Sequence, residues 1–293
     1  MKAGFIGLGH IGLEIAESLV RGAAALRVHD LRPEPLQYLA QHGAEAAATP
    51  GDAARGCDIL GICVRTDQQL LDVLSGPEGV LAGAPRGLLI AVHSTVRPAT
   101  VRKASDLALA AGASVVDAPV SRGPSDARGR TMVYMLGGTP EDVERAEPYL
   151  ALTGREIVRT GSLGTAMTVK VCNNLVTYLE FVAIDEAMRL AHGAGLDRGC
   201  LMNVLRGNGN ATPSMQGMIA GQMADAHGIS AARRATLEGH AAIAEKDLDC
   251  ALEVAAHLGL AVPGATLARR AIRGVYLSAR KTVTEADQDT SPR

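Results

Sequence analysis

Short apolar runs alternate with longer stretches of helical period through the first 160 or so positions of the chain. Ala3–Ile6, Leu26–His29, Ile59–Val64, Leu88–His93, Ser114–Val116 and Met132–Leu136 are almost continuous in apolar or small side chains. Strands covered on both faces have that pattern. Between them, Gly12–Gly22, Leu36–Gly43 and Ala99–Ala111 carry apolar residues at helical spacing. Pro140, followed by Glu141, Asp142 and Glu144, opens one more helix towards Leu150, since Pro and acidic residues suit a helix's first turn. Such alternation predicts a doubly wound, mostly parallel sheet.

The pattern changes after Gly161. Thr165 to His192 is one stretch without Gly or Pro, at helical rather than strand period. Arg198–Leu205, Thr212–Met223, Ala231–Leu258 and Thr266–Ala279 are also helical in character. The expected organisation is an α/β domain over 1–161 and an all-α domain over 162–293, joined by the long helix. The polar tail from Thr282 to Arg293 is expected to fray.

Composition narrows the partners. Aromatic residues are only 2% and Trp is absent, so platforms for stacking bases are scarce, and the net charge of −2 gives no attraction to phosphate backbones. Nucleic acid is not expected. The cysteines Cys57, Cys63, Cys172, Cys200 and Cys250 are odd in number and scattered, which fits neither a disulfide framework nor a zinc knuckle. The opening Met1–Gly7 is too short in apolar residues for a leader or a membrane span. A cytoplasmic protein with no membrane partner is the expectation.

Gly7-Leu8-Gly9-His10-Ile11-Gly12 follows the first expected strand and opens the first helix. The first Gly permits a tight turn, the second lets a pyrophosphate approach the backbone, and the third lets helix and strand pack closely. The helix N-terminus then offers N–H groups and a positive dipole end to phosphate. Asp30 ends the second strand 18 residues after Gly12, where a carboxylate accepts from a ribose diol and repels a 2′-phosphate. This is a Rossmann dinucleotide site, with NAD preferred to NADP. Leu31 and Arg32 would border the adenosine, Arg32 either folding over the adenine or attracting a 2′-phosphate. Val64 and Thr95, at the ends of later strands, would border the rest of the cofactor. Ser94-Thr95 before Pro98 also reads as a plain helix cap.

Three further groups carry candidate chemistry. Ser121-Arg122-Gly123, in a Pro- and Gly-bounded loop after the strand Ser114–Val116, sets a hydroxyl, a guanidinium and a backbone N–H side by side. Such a set holds a small oxyanion, or is a surface turn with a solvated Arg. Lys170 and Asn174 are four apart on the long helix and share a face, with Asn173 one step round and Thr177 continuing the stripe. Lys can give a proton to an oxygen gaining negative charge, and Asn can hold it or the substrate. The apolar neighbours Val169, Val171, Cys172 and Leu175 suggest that this helix is buried. Lys246-Asp247-Leu248 repeats the theme: Lys246 would reach the cofactor and Asp247 fix a neighbouring helix, or the two form an exposed ion pair. No Ser-His-Asp arrangement or metal-ligand cluster is evident.

Taken in order, Gly4-Phe5-Ile6-Gly7-Leu8-Gly9-His10-Ile11-Gly12, Ser94-Thr95 with Pro98, Asp117-Ala118-Pro119-Val120-Ser121, Gly161 and Gly164 leading to Lys170-Val171-Cys172-Asn173-Asn174, and Lys246-Asp247-Leu248 resemble the β-hydroxyacid dehydrogenase family over nearly the whole chain. The resemblance implies NAD(P)-dependent interconversion of a 3-hydroxy acid and its semialdehyde. It implies Lys170 as acid/base, Asn174 as its partner, Ser121 and Gly123 as holders of the substrate anion, and Thr95 and Lys246 as cofactor neighbours. It also implies a homodimer or homotetramer. The chain departs from the family where Arg122 and Ala166 replace Gly, and where Val92-His93 replaces the residues holding an Asp before Ser94. Arg122 is similar to the arrangement of sulfolactaldehyde reductases, so the anion is a carboxylate, sulfonate or phosphate. An imine reductase of the same build, a branch lacking the Lys, and a non-catalytic nucleotide-binding protein are the competing readings.

Overall fold

In the computed structural model, residues 1–23, 25–122, 130–225 and 229–277 are described. The chain divides into two compact units, Met1–Val171 and Cys172–Arg293. The first runs β1 (Lys2–Ile6), α1 (His10–Gly22), β2 (Ala25–His29), α2 (Pro33–Gln41), β3 (Glu45–Ala46), α3 (Pro50–Ala54), β4 (Ile59–Ile62), α4 (Asp67–Leu74), β5 (Leu89–Val92), α5 (Pro98–Ala110), β6 (Ser114–Asp117), β7 (Val120–Arg122), β8 (Met132–Gly137), α6 (Pro140–Leu150) and β9 (Gly154–Gly161). Strands β3-β2-β1-β4-β5-β6 lie in that order and are parallel throughout. This is the doubly wound order with its topological switch between β1 and β4, the place where such sheets bind dinucleotides. All four positions of β4 and of β5 are buried, as their unbroken apolar sequences require of strands covered on both sides.

Two layers of helices provide that cover. Ile15, Leu19, Val143, Ala146 and Tyr149, from α1 and α6, belong to one core. Leu70, Leu74, Val101 and Ala104, from α4 and α5, belong to another. Each fully buried Leu or Ile contributes about 1.5–3 kcal/mol. Thr49, Thr66 and Thr139 cap α3, α4 and α6 by accepting from backbone N–H groups of their first turns, satisfying donors that would otherwise be orphaned.

The far edge of the sheet departs from the sequence expectation. Ser121 and Arg122 lie not on a loop but on β7, opposite Val133 and Met132 of antiparallel β8. Strand β9 pairs parallel to β8. A three-residue strand between Pro119 and Gly123 has too few positions to show a period. In β9 most positions are exposed and several are charged, so its pattern is that of a solvated edge.

Helix α7 (Thr165–Gly193) begins in the first unit and continues into the second. The units therefore part inside this helix, ten residues beyond the expected 161/162 boundary. Its first turns belong to the first unit because Met167 packs into the core of α4 and α5. The second unit continues with α8 (Arg198–Gly207), α9 (Pro213–Ala224), α10 (Ala231–His257) and α11 (Pro263–Leu277). It has no strand among the described residues. Tyr178, Val182, Leu248, Ile272 and Val275 join α7, α10 and α11 in one core. Among the described residues no helix is long and apolar enough to cross a membrane, and no group of His, Cys, Asp or Glu could hold a metal ion. The expected fraying of Thr282–Arg293 falls outside the described residues.

Candidate active site

The turn from β1 into α1 is shaped by what a side chain would strike. Gly7 has φ +93°, a left-handed conformation that only Gly adopts without cost, and its N–H donates to the His29 carbonyl at 3.0 Å. A Cβ on Gly7 would collide with the Cys63 carbonyl, and one on Gly12 with the Gly7 carbonyl. A Cβ on Gly9 would meet nothing within 4 Å, and no side chain hydrogen-bonds the first turn of α1. The open side of Gly9 and the uncapped helix start fit a pyrophosphate. Leu8 is buried and Ile11 packs beside the core, so at these positions the backbone faces the turn.

Asp30 closes this turn. Its Oδ2 accepts from the Leu8 N–H at 2.6 Å, and its Oδ1 from the Arg32 N–H at 2.9 Å and Arg32 Nε at 3.2 Å. Burial works against the charged carboxylate, but these donors outweigh it and hold Asp30 below the usual carboxylate range. Arg32 also donates to the Leu8 carbonyl at 2.7 Å. Its guanidinium thus braces the glycine turn, while Leu31 stands almost wholly exposed beside it.

At the ends of β4 and β5 the hydroxyls divide their work. Ser94 Oγ accepts from the Val64 N–H at 2.7 Å and so ties the two strand ends together. Of the Ser94-Thr95 pair, half-buried Thr95 is the one placed beyond that tie, at the carboxyl edge of the sheet. His93, just before them, is buried among Phe5, Tyr134 and Tyr149. Its Nδ1 donates to the Ala118 carbonyl at 2.9 Å, so Nε2 is left to accept from Tyr149 OH at 3.1 Å. Burial pushes its pKa down to about 4, against the raising effect of the Ala118 bond, and the ring is neutral.

Asp117, at the end of β6, is fully buried and accepts from the N–H groups of Gly164 at 3.0 Å and Met167 at 2.9 Å. Burial raises its pKa against those lowering bonds. This carboxylate seats the N-terminal turn of α7, as anions at helix starts do, and Lys170 follows Met167 by three residues. Ser121 is half-buried on β7. Arg122 pairs with Glu14 of α1, and both its terminal nitrogens lie 3.5 Å from His10 Nε2. Gly123 lies outside the described residues.

Lys170 is 8% exposed and Asn174 9%. The helix carrying them is buried on one side only: Val169, Cys172, Asn173 and Val176 are exposed, so the apolar neighbours of Lys170 do not bury α7 all round. Asn174 Nδ2 donates to Asp247 Oδ2 at 2.7 Å, and Tyr178 OH donates to the same oxygen at 3.1 Å. Asp247 thus ties α10 to α7, as its sequence position suggested. Lys246 Nζ lies 2.8 Å from Asp247 Oδ1, within an ion pair whose carboxylate is buried. Burial, then the Asp247 charge, pushes the Tyr178 hydroxyl well up, so it remains a donor. Asn173 Nδ2 donates to Asn174 Oδ1 at 3.2 Å, whereas Thr177 bonds back to the Asn173 carbonyl at 3.1 Å within the helix.

Sequence reasoning assigned no role to Glu14, His93 or Tyr178, and named Asp117 only as part of a motif. Each acts through a partner far along the chain: Glu14 through Arg122, His93 through Tyr149, Tyr178 through Asp247. No local spacing signals such pairs.

The profile described as the NAD binding domain of 6-phosphogluconate dehydrogenase matches residues 2–161. The profile described as NAD-binding of NADP-dependent 3-hydroxyisobutyrate dehydrogenase matches residues 164–291. The chain is 34% identical over 194 residues to a probable mitochondrial 3-hydroxyisobutyrate dehydrogenase of Dictyostelium discoideum, covering 66% of this chain and 60% of that protein's length. It is also 34% identical over 202 residues to an NAD-dependent L-serine dehydrogenase of Pseudomonas aeruginosa, covering 69% and 68%. The crystal structure of 3-hydroxyisobutyrate dehydrogenase from Salmonella typhimurium superposes with a TM-score of 0.81 at 26% identity, over 94% of this chain and 93% of that one. With two adjoining profiles spanning nearly its whole length, the chain belongs to the β-hydroxyacid dehydrogenase family that includes 3-hydroxyisobutyrate dehydrogenase.

Proposed function

We propose that the protein is an NAD(P)-dependent oxidoreductase that interconverts a small anionic 3-hydroxy acid and its semialdehyde. The observation that carries this reading is the buried Lys170 on α7, one turn ahead of an Asn174 whose amide is fixed by the Asp247 carboxylate. A nicotinamide cofactor, which the Gly7–Gly12 turn and Asp30 would hold, would supply hydride to the aldehyde carbon and take it back in the reverse reaction. Lys170 Nζ gives a proton to the oxygen gaining charge as reduction proceeds, and accepts it from the hydroxyl in oxidation. Asn174, locked by Asp247, holds its amide in one orientation beside that step. Ser121 and Arg122, with Gly123, hold the substrate's anionic end, and Arg122 suits two-point binding of a carboxylate, sulfonate or phosphate. Thr95, at the carboxyl edge of the sheet, would border the cofactor.

Asp30 favours NAD, because its carboxylate stands where a 2′-phosphate would lie and the Arg32 guanidinium is engaged with Leu8 and Asp30. The relatives' own names point to both cofactors, so the choice rests on these residues.

A panel of short hydroxy acids, semialdehydes and one cyclic imine, run with each cofactor, tests the reading. Lys170→Ala should lower semialdehyde turnover about 10²–10⁴-fold while NADH binding, followed by fluorescence, persists. Turnover like that of the unaltered protein would overturn the role of Lys170, and faster reduction of the cyclic imine would make this an imine reductase.

A further inference from the structure

Arg122 is one of the positions at which this chain leaves its family's pattern, and its surroundings are unusual in one respect. A single carboxylate, Glu14 of α1, takes both Arg122 and Thr131: Arg122 Nη2 pairs with Glu14 Oε2, and Thr131 Oγ1 donates to Glu14 Oε1 at 2.7 Å. Ser121 immediately precedes Arg122. Glu14 is one helical turn after His10, on the same face of α1, and His10 Nε2 lies 3.5 Å from the guanidinium. Arg122 and Thr131 are therefore both tied to the helix that begins at the dinucleotide turn.

Such a pair adds little to folding. The Arg122 side chain is 42% exposed and that of Glu14 33%, and ion pairs so placed contribute little to stability. Its larger effect is on where the guanidinium is. A free Arg side chain has rotamer entropy to lose on being ordered. A carboxylate that orders it beforehand removes part of that cost from anion binding. Glu14 engages one terminal nitrogen of a group with five N–H donors, so pairing with Glu14 and holding an anion are compatible.

We propose that Glu14 is a positioning residue for substrate recognition, holding Arg122 against α1. Anion binding is thereby set in register with the cofactor turn. The proposal rests on the reading that Ser121 and Arg122 hold the substrate's anion. It assigns Glu14 no contact with substrate: its influence passes through Arg122, and it concerns the charged end of the substrate rather than the reacting carbon.

The test compares a carboxylate-bearing semialdehyde with the uncharged aldehyde of equal length, in Glu14→Ala, Glu14→Gln, Arg122→Gln and Glu14→Ala/Arg122→Gln. NADH affinity and the thermal midpoint are measured for each. Glu14→Ala should lower the charged-to-uncharged ratio of kcat/KM about tenfold, mainly through KM, with NADH affinity changed less than about twofold. Glu14→Gln, which keeps one acceptor, should recover part of this. Arg122→Gln should lower the ratio at least as far, and the double variant no further, because coupled residues are not additive. Additive losses, equal losses on both aldehydes, or a shift confined to NADH affinity would each overturn the role of Glu14. If Arg122→Gln leaves the ratio unchanged, the anion-site reading itself fails; if Arg122→Gln collapses the ratio and Glu14→Ala does not, only the role of Glu14 fails.

Discussion

The glycine turn ahead of α1 and the Asn174–Asp247 pair joining α7 to α10 are made of different material. In the turn the work is done by backbone: Gly7 bends it, Gly12 lets α1 approach it, and Gly9 leaves one side open. In the pair it is done by side chains 73 positions apart, one buried carboxylate fixing an amide and a phenol. A backbone site fails when any atom is added to it. A side-chain site fails when one partner is removed, because its buried mates are left unsatisfied.

Substitutions that press on each kind of site test this contrast. The largest effect is expected for Gly12→Val, whose added atoms meet the Gly7 carbonyl and the Phe5 ring. Stability should fall by about 3 kcal/mol or more, as overpacking against backbone does, and NADH binding should be lost with it; thermal unfolding and NADH titration give both readings. His93 is another side-chain device, buried in the first unit. Its folded pKa of about 4 lies below the 6.5 of the unfolded chain, so the unfolded state binds the proton first. The resulting stability is complete above about pH 6.5 and is lost as pH falls towards 4, about 3 kcal/mol in all. A thermal midpoint followed over that range should drop, and His93→Gln should flatten the drop.

Asp247→Ala leaves the Asn174 amide and the Tyr178 hydroxyl without their shared acceptor. A cost of about 1–3 kcal/mol should appear as a fall of roughly 5–150-fold in kcat/KM, with NADH affinity affected less than turnover. The smallest effect on folding is expected for Gly9→Ala. Its methyl meets open space, so stability should stay within about 0.5 kcal/mol while NADH binding weakens about tenfold. If Gly9→Ala binds NADH as before, the open side of Gly9 is not where the cofactor's phosphates lie.

The same contrast explains what could be read from the sequence. Five of the six parallel strands, helices α1, α2, α5 and α6 and the glycine turn announce themselves because each depends on residues close in the chain, whereas the two-residue β3 and the short α3 and α4 offer too few positions to show a period. Lys170 and Asn174 were legible for that reason too, being one helical turn apart. The edge strand β7 was not, since Val120–Arg122 acquires its partners only when Met132–Tyr134 returns beside it. The acceptor for Arg122 lies 108 positions earlier, and α1's own pattern gives no reason to single out Glu14. The part of α7 around Lys170 looked apolar all round, yet Val169 and Val176 face outward, because hydropathy alone does not say which side of a helix its neighbours occupy.

Asp30 carries a consequence for how cofactor choice can change. Its Oδ2 accepts from the Leu8 N–H, and the proposed function gives the same carboxylate the ribose of the dinucleotide. A lineage, or a designer, replacing Asp30 to admit a phosphorylated cofactor would also release Leu8 from the phosphate turn. Retooling this protein is therefore a two-place problem, in which a new acceptor for Leu8 has to arrive with, or before, the residue that welcomes the extra phosphate.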